Sequence, residues 1–501
     1  MQHSVDVAII GAGFAGLTAA IRLQQRGNTS FVIFERAAEV GGTWRDNIYP
    51  GCGCDIPSPL YSFSFAPNPD WTRMYAGQPE ILSYIKQTVS QFNLRPHLRF
   101  NAEIIRTEFA EATGRWTLTD RAGQQTTARV VLVAIGPLNR PALPQLPGLA
   151  TFAGKTFHSS QWDTDYDLQG KRVAVIGTGA SAVQFVPQIA PLVGQLYVFQ
   201  RTAPWILPRR DRAFSEKEKT WFRRLPLLQW MQRELIYWRN ELFGLLFMGN
   251  KKLAAQANEL AARHLKRAIK DPELRRKVTP NYQLGCKRVL ISNNYYPALT
   301  RPNVELVTEG IREVTPTGIV THDGQARPVD AIIFGTGFVA SEFMVDLHIS
   351  GLGGRSLFGE WQQSSAEAYR GTTVAGYPNM LVLVGPNTGL AHNSIIHIME
   401  SQVNYVLDYL RILDQAGPGA YLDVKPEAQR AHNEEVQRKL GTTVWASGCK
   451  SWYQTAAGKN TTLLHTLTPA FRRSVKSVRL KDYVLRKAVN SEELVVNNER
   501  R

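Results

Sequence analysis

Cysteine is scarce in this 501-residue chain, with only Cys52, Cys54, Cys286 and Cys449. Four are too few for a disulfide scaffold, and none forms the CxxC pair of a zinc site, so a reducing compartment and no bound metal are expected. Long apolar runs are missing too. No stretch of about eighteen apolar residues occurs, and Met1-Gln2-His3-Ser4 leads straight into a short apolar run without a basic leader. The chain therefore reads as cytoplasmic and not membrane-spanning. Acidic residues are outnumbered, 42 against 58 lysines and arginines, for a formal net charge of +16. Such an excess suits an anionic cofactor, nucleic acid or a membrane surface, and charge alone does not choose among them. No recognition-helix, RNP-type or zinc pattern supports nucleic acid, so that partner is not expected. The length exceeds one compact core and suits two or three domains.

What is present begins at the first residues. "VDVAIIGAGFAGLTAAIRLQQRG" gives a strand from Val5 to Ile10, then Gly11, Gly13 and Gly16 leading through Phe14 and Ala15 into an amphipathic helix. The first glycine permits the tight turn and the second lets backbone approach a pyrophosphate. The third lets helix pack on strand, with the helix N-terminus toward the phosphates. Nineteen residues beyond Gly16, "FVIFER" places Glu35 at the end of a second strand, where a carboxylate accepts from ribose hydroxyls.

"KRVAVIGTGASAVQFVPQIA" repeats the pattern. A strand from Val173 to Ile176 precedes Gly177, Thr178 and Gly179, and Ala180, Ser181 and Ala182 open the helix. The next strand reaches Arg201 nineteen residues beyond Ala182, so a cation replaces the acid. A guanidinium pairs with a 2′-phosphate where a carboxylate would repel it. The first unit is thus expected to hold FAD and the second NADPH in preference to NADH; the plainer reading of Arg201 is a surface arginine in a basic protein. The fold class is α/β, with two Rossmann-like dinucleotide-binding domains.

Between the two units lies "FAGKTFHSSQWD", Phe152 to Asp163. This segment resembles the FxGxxxHxxxW(P/D) fingerprint of type I Baeyer–Villiger monooxygenases, with Phe152, Gly154, His158, Trp162 and Asp163 at its positions. Related flavin-containing monooxygenases carry a similar segment without the tryptophan. The stretches "GGTWRDNIYPGCGCDIPSPLYSFSF", "GCKRVLISNNYYPALTRPNVELV", "DAIIFGTGF" and "GPNTGLAHNSIIHIMESQVNYV" resemble the same family. One departure is Ile135, which stands where the family usually places a threonine. In the family the fingerprint is a hinge element whose histidine couples domain movement without doing chemistry, and a purely structural His158 and packed Trp162 are compatible with that.

The resemblance implies an NADPH- and O2-dependent oxygenation of a ketone to an ester or lactone through an anionic flavin peroxide, with sulfides as further substrates. It assigns Arg288 as the cation that stabilises the developing oxyanion and Asp55 as the carboxylate that orients it. Lys287 joins Arg201 and Thr202 at the 2′-phosphate. Arg36, Thr43, Trp44, Tyr61 and Ile104 fall at FAD positions, and Gly53 and Cys54 face the nicotinamide. Trp452 sits in "SWYQTAAGKNTT", similar to a loop that folds over NADP; a tryptophan packed on its own loop is the alternative. An Arg288–Asp55 pair of purely structural purpose is the plainer reading of that motif.

The expected domains are an FAD unit in two pieces, 1–143 and 377–501, and an NADP unit of 144–210 and 281–376, with a helical insertion at 211–280. In the insertion "SEKE" from Ser215 to Glu218 resembles a capping box. Leu227, Leu228, Met231, Leu235, Trp238, Leu242 and Leu245 follow at helical spacing, and a second helix is expected from Lys251 to Lys270. Sixteen basic and eight acidic residues give this insertion a net +8. The pattern is expected to pack its apolar face on its own domain, with peripheral membrane contact as the alternative. Competing functions are a flavin-containing monooxygenase acting on sulfur or nitrogen, a disulfide reductase using Cys52 and Cys54, and a membrane-docking flavin sensor without turnover.

Overall fold

The computed structural model describes residues 3–340 and 344–488. Two sheets organise the chain. In the first, His3–Ile10 lies between Phe31–Phe34 and Gln125–Val133, all parallel, as a strand covered on both faces requires. The antiparallel strands Arg115–Asp120 and Ile104–Ala110 extend one side, Leu98–Arg99 ends the other, and Met380–Val382 pairs in parallel with Gln125–Val133. The second sheet is wholly parallel, in the order Val304–Val307, Gln195–Phe199, Arg172–Ile176, Ala331–Phe334 and Lys155–His158. Each Gly-rich turn thus follows a central strand of its sheet.

Apolar residues of both sheets share one buried cluster that runs from Val7 and Ile9 through Val173 and Val175 to Tyr405 and Tyr409. The helix Ile395–Ala416 packs on Phe14–Gln25, closing the first unit with chain from the far end of the sequence. Trp116 Nε1 ties the same two pieces by donating to Pro378 O at 2.8 Å.

The return to the first unit comes earlier than residue 377. His348–Ser350 pairs with Ile104–Ala110, and Met344, Leu347, Leu357 and Trp361 pack in that sheet's second core cluster. His348–Ser350, expected with the NADP unit, is therefore a strand of the first sheet; short apolar pieces between turns carry no signal of which sheet they join. The final residues of the expected second piece, 489–501, lie outside the described residues.

The insertion folds as four helices, Glu216–Arg224, Pro226–Phe247, Lys251–Ala268 and Pro272–Val278. Ser215 and Glu218 form the reciprocal capping box that the sequence proposes. The packing expectation holds only in part: Leu246, Phe247, Ala257 and Ala261 enter a buried cluster, and Leu228 and Leu245 are half-buried. Leu227, Met231, Leu235, Trp238 and Leu242 are exposed, while Gln229, Arg233 and Glu241 of the same helix are buried. No helix among the described residues is long and apolar enough to cross a membrane.

The cysteine reading also needs correction. Four cysteines build no scaffold, yet Cys286 and Cys449, 163 residues apart in sequence, are joined by a disulfide, while Cys52 and Cys54 are free and buried. Only the fold brings the two segments to a Cα separation of 6.1 Å.

Candidate active site

Both Gly-rich turns adopt one backbone. Gly11 and Gly177 share a φ of 107°, and a Cβ on them would meet Ala134 O at 2.6 Å or Gly335 O at 2.5 Å. Gly16 is closed off as well, because its Cβ would sit 1.9 Å from Gly11 O. At the middle positions the nearest atom to such a Cβ is 3.8 Å away, Gly42 Cα for Gly13 and Gly335 O for Gly179. Space is kept where a pyrophosphate approaches and denied elsewhere, so the residues fit two dinucleotides. Ala182 takes the place of the third glycine, and Gly335 lies opposite it, where a Cβ would come within 3.1 Å of the Ala182 Cβ.

The helices Phe14–Gln25 and Ala180–Ile189 start over these turns and aim their first N–H groups outward. Phe14 and Ala15 are buried, so their contribution there is backbone; the Phe14 ring packs on Tyr61 and Phe63. Glu35 is buried just past Phe31–Phe34. It accepts from Ala12 N at 3.0 Å, Ala37 N at 3.0 Å and Arg45 Nη1 at 2.8 Å, which fixes the carboxylate beside the turn. Arg36 is exposed and 3.8 Å from Asp46. Ile104 opens the Ile104–Ala110 strand with its side chain in the core, leaving only backbone for a cofactor. Thr43 is exposed at the start of a short helix. Trp44 beside it is buried and donates Nε1–H to Tyr61 Oη at 3.0 Å.

Arg288 and Asp55, 233 residues apart, meet at 3.1 Å between Nη2 and Oδ2. Burial weakens the guanidinium's hold on its proton, but Asp55, Tyr453 and Cys54 outweigh it and leave the pKa above its ordinary value. Arg288 is thus a permanent cation, although 42% of its side-chain surface stays accessible. Gln184, on the helix of the second Gly-rich unit, reaches across to the same loop. It donates to Gly53 O at 3.0 Å and to Asp55 Oδ1 at 3.4 Å, and accepts from Tyr49 Oη at 2.9 Å. Arg209 donates to Cys54 O at 3.3 Å and lies over the Tyr75 ring. Burial pushes the Cys52 and Cys54 thiols up to about 12, which leaves negligible thiolate for a dithiol reductase at neutral pH.

At the other end of the site, Arg201 is exposed two residues past Gln195–Phe199. Lys287 lies near it: burial first, then the Arg201 charge, lowers the lysine's pKa. The two cations are near enough to repel each other, and Thr178 Oγ1, donating to Thr202 O at 3.2 Å, ties the Gly-rich turn to the same end of the strand. Trp452 is 41% exposed and its ring lies tilted against that of its neighbour Tyr453, at 4.5 Å between centroids. His158 is buried, with Nδ1 2.8 Å from Ser160 Oγ, and burial keeps its pKa low against a contact to the Gly337 backbone. Trp162 packs on Phe157 and Phe185.

Sequence reasoning missed Gln184 and Tyr453. Gln184 carried one faint signal, a lone amide in the apolar run "ASAVQFVPQI". Tyr453, fully enclosed beside Arg288, carried none.

Two Gly-rich turns shaped for dinucleotides, a buried acid beside the first and two cations beside the second fit a flavoprotein oxidoreductase that takes electrons from NADPH. Residues 4–238 match the family model described as flavin-binding monooxygenase-like. A protein of Streptomyces coelicolor named Baeyer-Villiger monooxygenase is 49% identical over 490 residues, covering 97% of this chain and 94% of that one. One of the same name from Pseudomonas aeruginosa is 50% identical over 487 residues, covering 96% and 91%. Among solved structures, a steroid monooxygenase bound to NADP and a closed cyclohexanone monooxygenase each align with a TM-score of 0.86 at 29% identity, over 97% of this chain and 100% of theirs. The chain belongs to the Baeyer–Villiger monooxygenase family and is an FAD- and NADPH-dependent monooxygenase.

Proposed function

We propose that the protein inserts oxygen next to a ketone carbonyl to give an ester or lactone, with Arg288 as the catalytic residue and Asp55 as its orienting partner. The observation that carries this reading is the 3.1 Å contact between them, made from segments 233 residues apart and tied to the second unit's helix through Gln184. Support comes also from similar solved structures of cyclohexanone monooxygenase, one of them bound to ε-caprolactone.

Bound FAD supplies the two-electron carrier that accepts hydride from NADPH and activates dioxygen. The chain supplies position and charge. Arg288 Nη–H groups donate to the oxygen on which negative charge gathers, and a preorganised donor of this kind is worth more in a water-poor site than in solution. Asp55 fixes the guanidinium and keeps it charged. Gly53 and Cys54 border the nicotinamide, while Glu35, Arg36, Thr43, Trp44, Tyr61 and the backbone near Ile104 hold FAD. Arg201, Thr202 and Lys287 hold the 2′-phosphate, and Trp452 closes over NADP when its loop folds inward.

The test is incubation of the purified protein with NADPH, oxygen and a mixed panel of ketones and sulfides, with products identified by mass spectrometry. Esters or lactones are expected as main products. Sulfoxides or N-oxides alone would assign the chain to flavin-containing monooxygenase chemistry instead.

A further inference from the structure

The Pro226–Phe247 helix turns a mixed side inward, on which Gln229, Arg233 and Glu241 are buried among Ile236, Tyr237, Leu246 and Phe247. Arg233 Nη1 donates to Pro59 O at 2.8 Å and Ser62 O at 3.0 Å, and Gln229 Nε2 donates to Asn68 O at 2.6 Å. Glu241 accepts from Thr468 N at 3.1 Å and lies 3.3 Å from His392. These contacts fix which side of the helix faces the body of the protein. Rotation to bury the apolar side instead would strand a guanidinium, a carboxylate and an amide.

The outward side carries Leu227, Trp230, Met231, Leu235, Trp238 and Leu242, and Trp221 and Leu225 continue it onto the preceding turn. Their exposure runs from 49% at Leu225 to 72% at Leu235. Eight large side chains so exposed amount to on the order of 800 Å², more than the roughly 300–600 Å² of the largest patch on an ordinary monomer. Around them, Lys217, Arg223, Arg224 and Arg239 are exposed; Arg223 pairs with Asp70, and the exposed Glu216 is paired with Lys219. The helix's own acids are Glu234 and the buried Glu241.

We propose that this face docks on an anionic lipid bilayer, the helix lying flat at headgroup depth with its tryptophans and leucines among the acyl chains. Charge selects the occupant. A second copy would bring another insertion of net +8 against the first, whereas an anionic headgroup layer satisfies the basic rim and the hydrocarbon beneath it satisfies the leucines. The helix is not apolar enough to span, so it lies in the interface. Docking there has a geometric consequence: Ile236 and Tyr237, on the inner side, pack with Leu60 and Ile56 of the loop that carries Asp55 and Tyr61. The oxygenation site would then lie behind a surface in contact with lipid-dissolved compounds. The docking claim stands on the helix alone and does not depend on the chemistry assigned to Arg288.

The experiment is flotation of the full-length, FAD-loaded protein with vesicles of phosphatidylcholine alone or with about a third phosphatidylglycerol, beside sedimentation velocity without lipid. Binding to the anionic vesicles that weakens with salt is expected, because exposed charge attraction is screened. A Leu235→Asp, Trp238→Asp protein should lose at least about tenfold in partitioning while keeping its flavin spectrum and NADPH oxidation in solution. An Arg224→Glu, Arg239→Glu protein should lose preference for the anionic vesicles. The proposal is overturned by absence of vesicle binding at low salt or by binding indifferent to lipid charge. It is equally overturned by unchanged binding of the Leu235→Asp, Trp238→Asp protein, or by a lipid-free dimer that these substitutions dissolve.

Discussion

In the proposed function, Arg288 is where one side chain decides the reaction. Replacing it with alanine should leave FAD bound, because Glu35, Trp44 and the first Gly-rich turn lie elsewhere in the site. Loss of one preorganised donor to a developing oxyanion costs about a hundred- to a thousand-fold in rate, so ester formation should nearly vanish while NADPH is still oxidised and hydrogen peroxide appears. Product analysis beside oxygen uptake reads this directly, and ester at the unmodified protein's level would remove Arg288 from its role. Arg201→Ala is expected to act on one coenzyme only. A hydrogen bond to a charged group is worth about 1.5–3 kcal/mol, so the KM for NADPH should rise roughly ten- to a hundredfold while that for NADH hardly moves; equal losses for both would place the 2′-phosphate elsewhere. Gln184 does no chemistry, yet it joins the second unit's helix to Gly53 and Asp55. Gln184→Ala should raise peroxide released per NADPH consumed with flavin content unchanged, whereas Gln184→Glu, which keeps only acceptors, should not restore coupling.

At the scale of elements, the disulfide joins two pieces that both face the site. Cys286 immediately precedes Lys287 and Arg288, and Cys449 opens the loop that carries Trp452 and Tyr453. Pinning that loop limits how far it swings and restricts the unfolded chain, an effect typically worth about 2–4 kcal/mol. Thiol titration of the denatured, unreduced protein should find the two free cysteines, and four after reduction. Reduction or Cys449→Ser should lower the melting temperature by several degrees, and an unchanged melting curve would mean the bridge restrains nothing. The Pro226–Phe247 helix teaches a related lesson. Leucine and tryptophan at helical spacing are legible in a sequence, but the direction in which that stripe points depends on what the opposite side meets. Here Pro59, Ser62, Asn68 and Thr468 supply polar partners, and the side that carries Gln229, Arg233 and Glu241 turns inward.

The whole molecule has a defined response to acid. His397 is held down to about 3, by burial and then by Arg233 and Arg472. His432 is held to about 4 by burial and then by His465 and Arg370, and His465 to about 4 by burial and then by Lys439. In the unfolded chain each takes a proton near its ordinary 6.5, so acidification protonates the unfolded state first. Stability present above pH 6.5 is lost as pH falls toward 4. Asp423, raised by burial to about 6, works in the opposite sense, one group against three. Urea midpoints at constant ionic strength should therefore fall from pH 7 to pH 5, and a flat or rising trend would contradict this account.

Within the sequence alone, the two Gly-rich turns, their strands and helices, and the capping box at Ser215 were already legible. Each is local: a positive φ, a close backbone approach or a side chain reaching three residues along leaves its mark within a few positions. The exchange of acid for cation between Glu35 and Arg201 was legible for the same reason, since the turn sets the offset. Arg288 and Asp55 could be paired only through family resemblance, because nothing in a chain marks residues 233 apart as neighbours. Tertiary structure alone decided that Cys286 meets Cys449, that His348–Ser350 rejoins the first sheet, that Gln184 bridges the units and that the Pro226–Phe247 helix faces outward. These depend on which surfaces find partners once the sheets have formed, and periodicity is blind to partners.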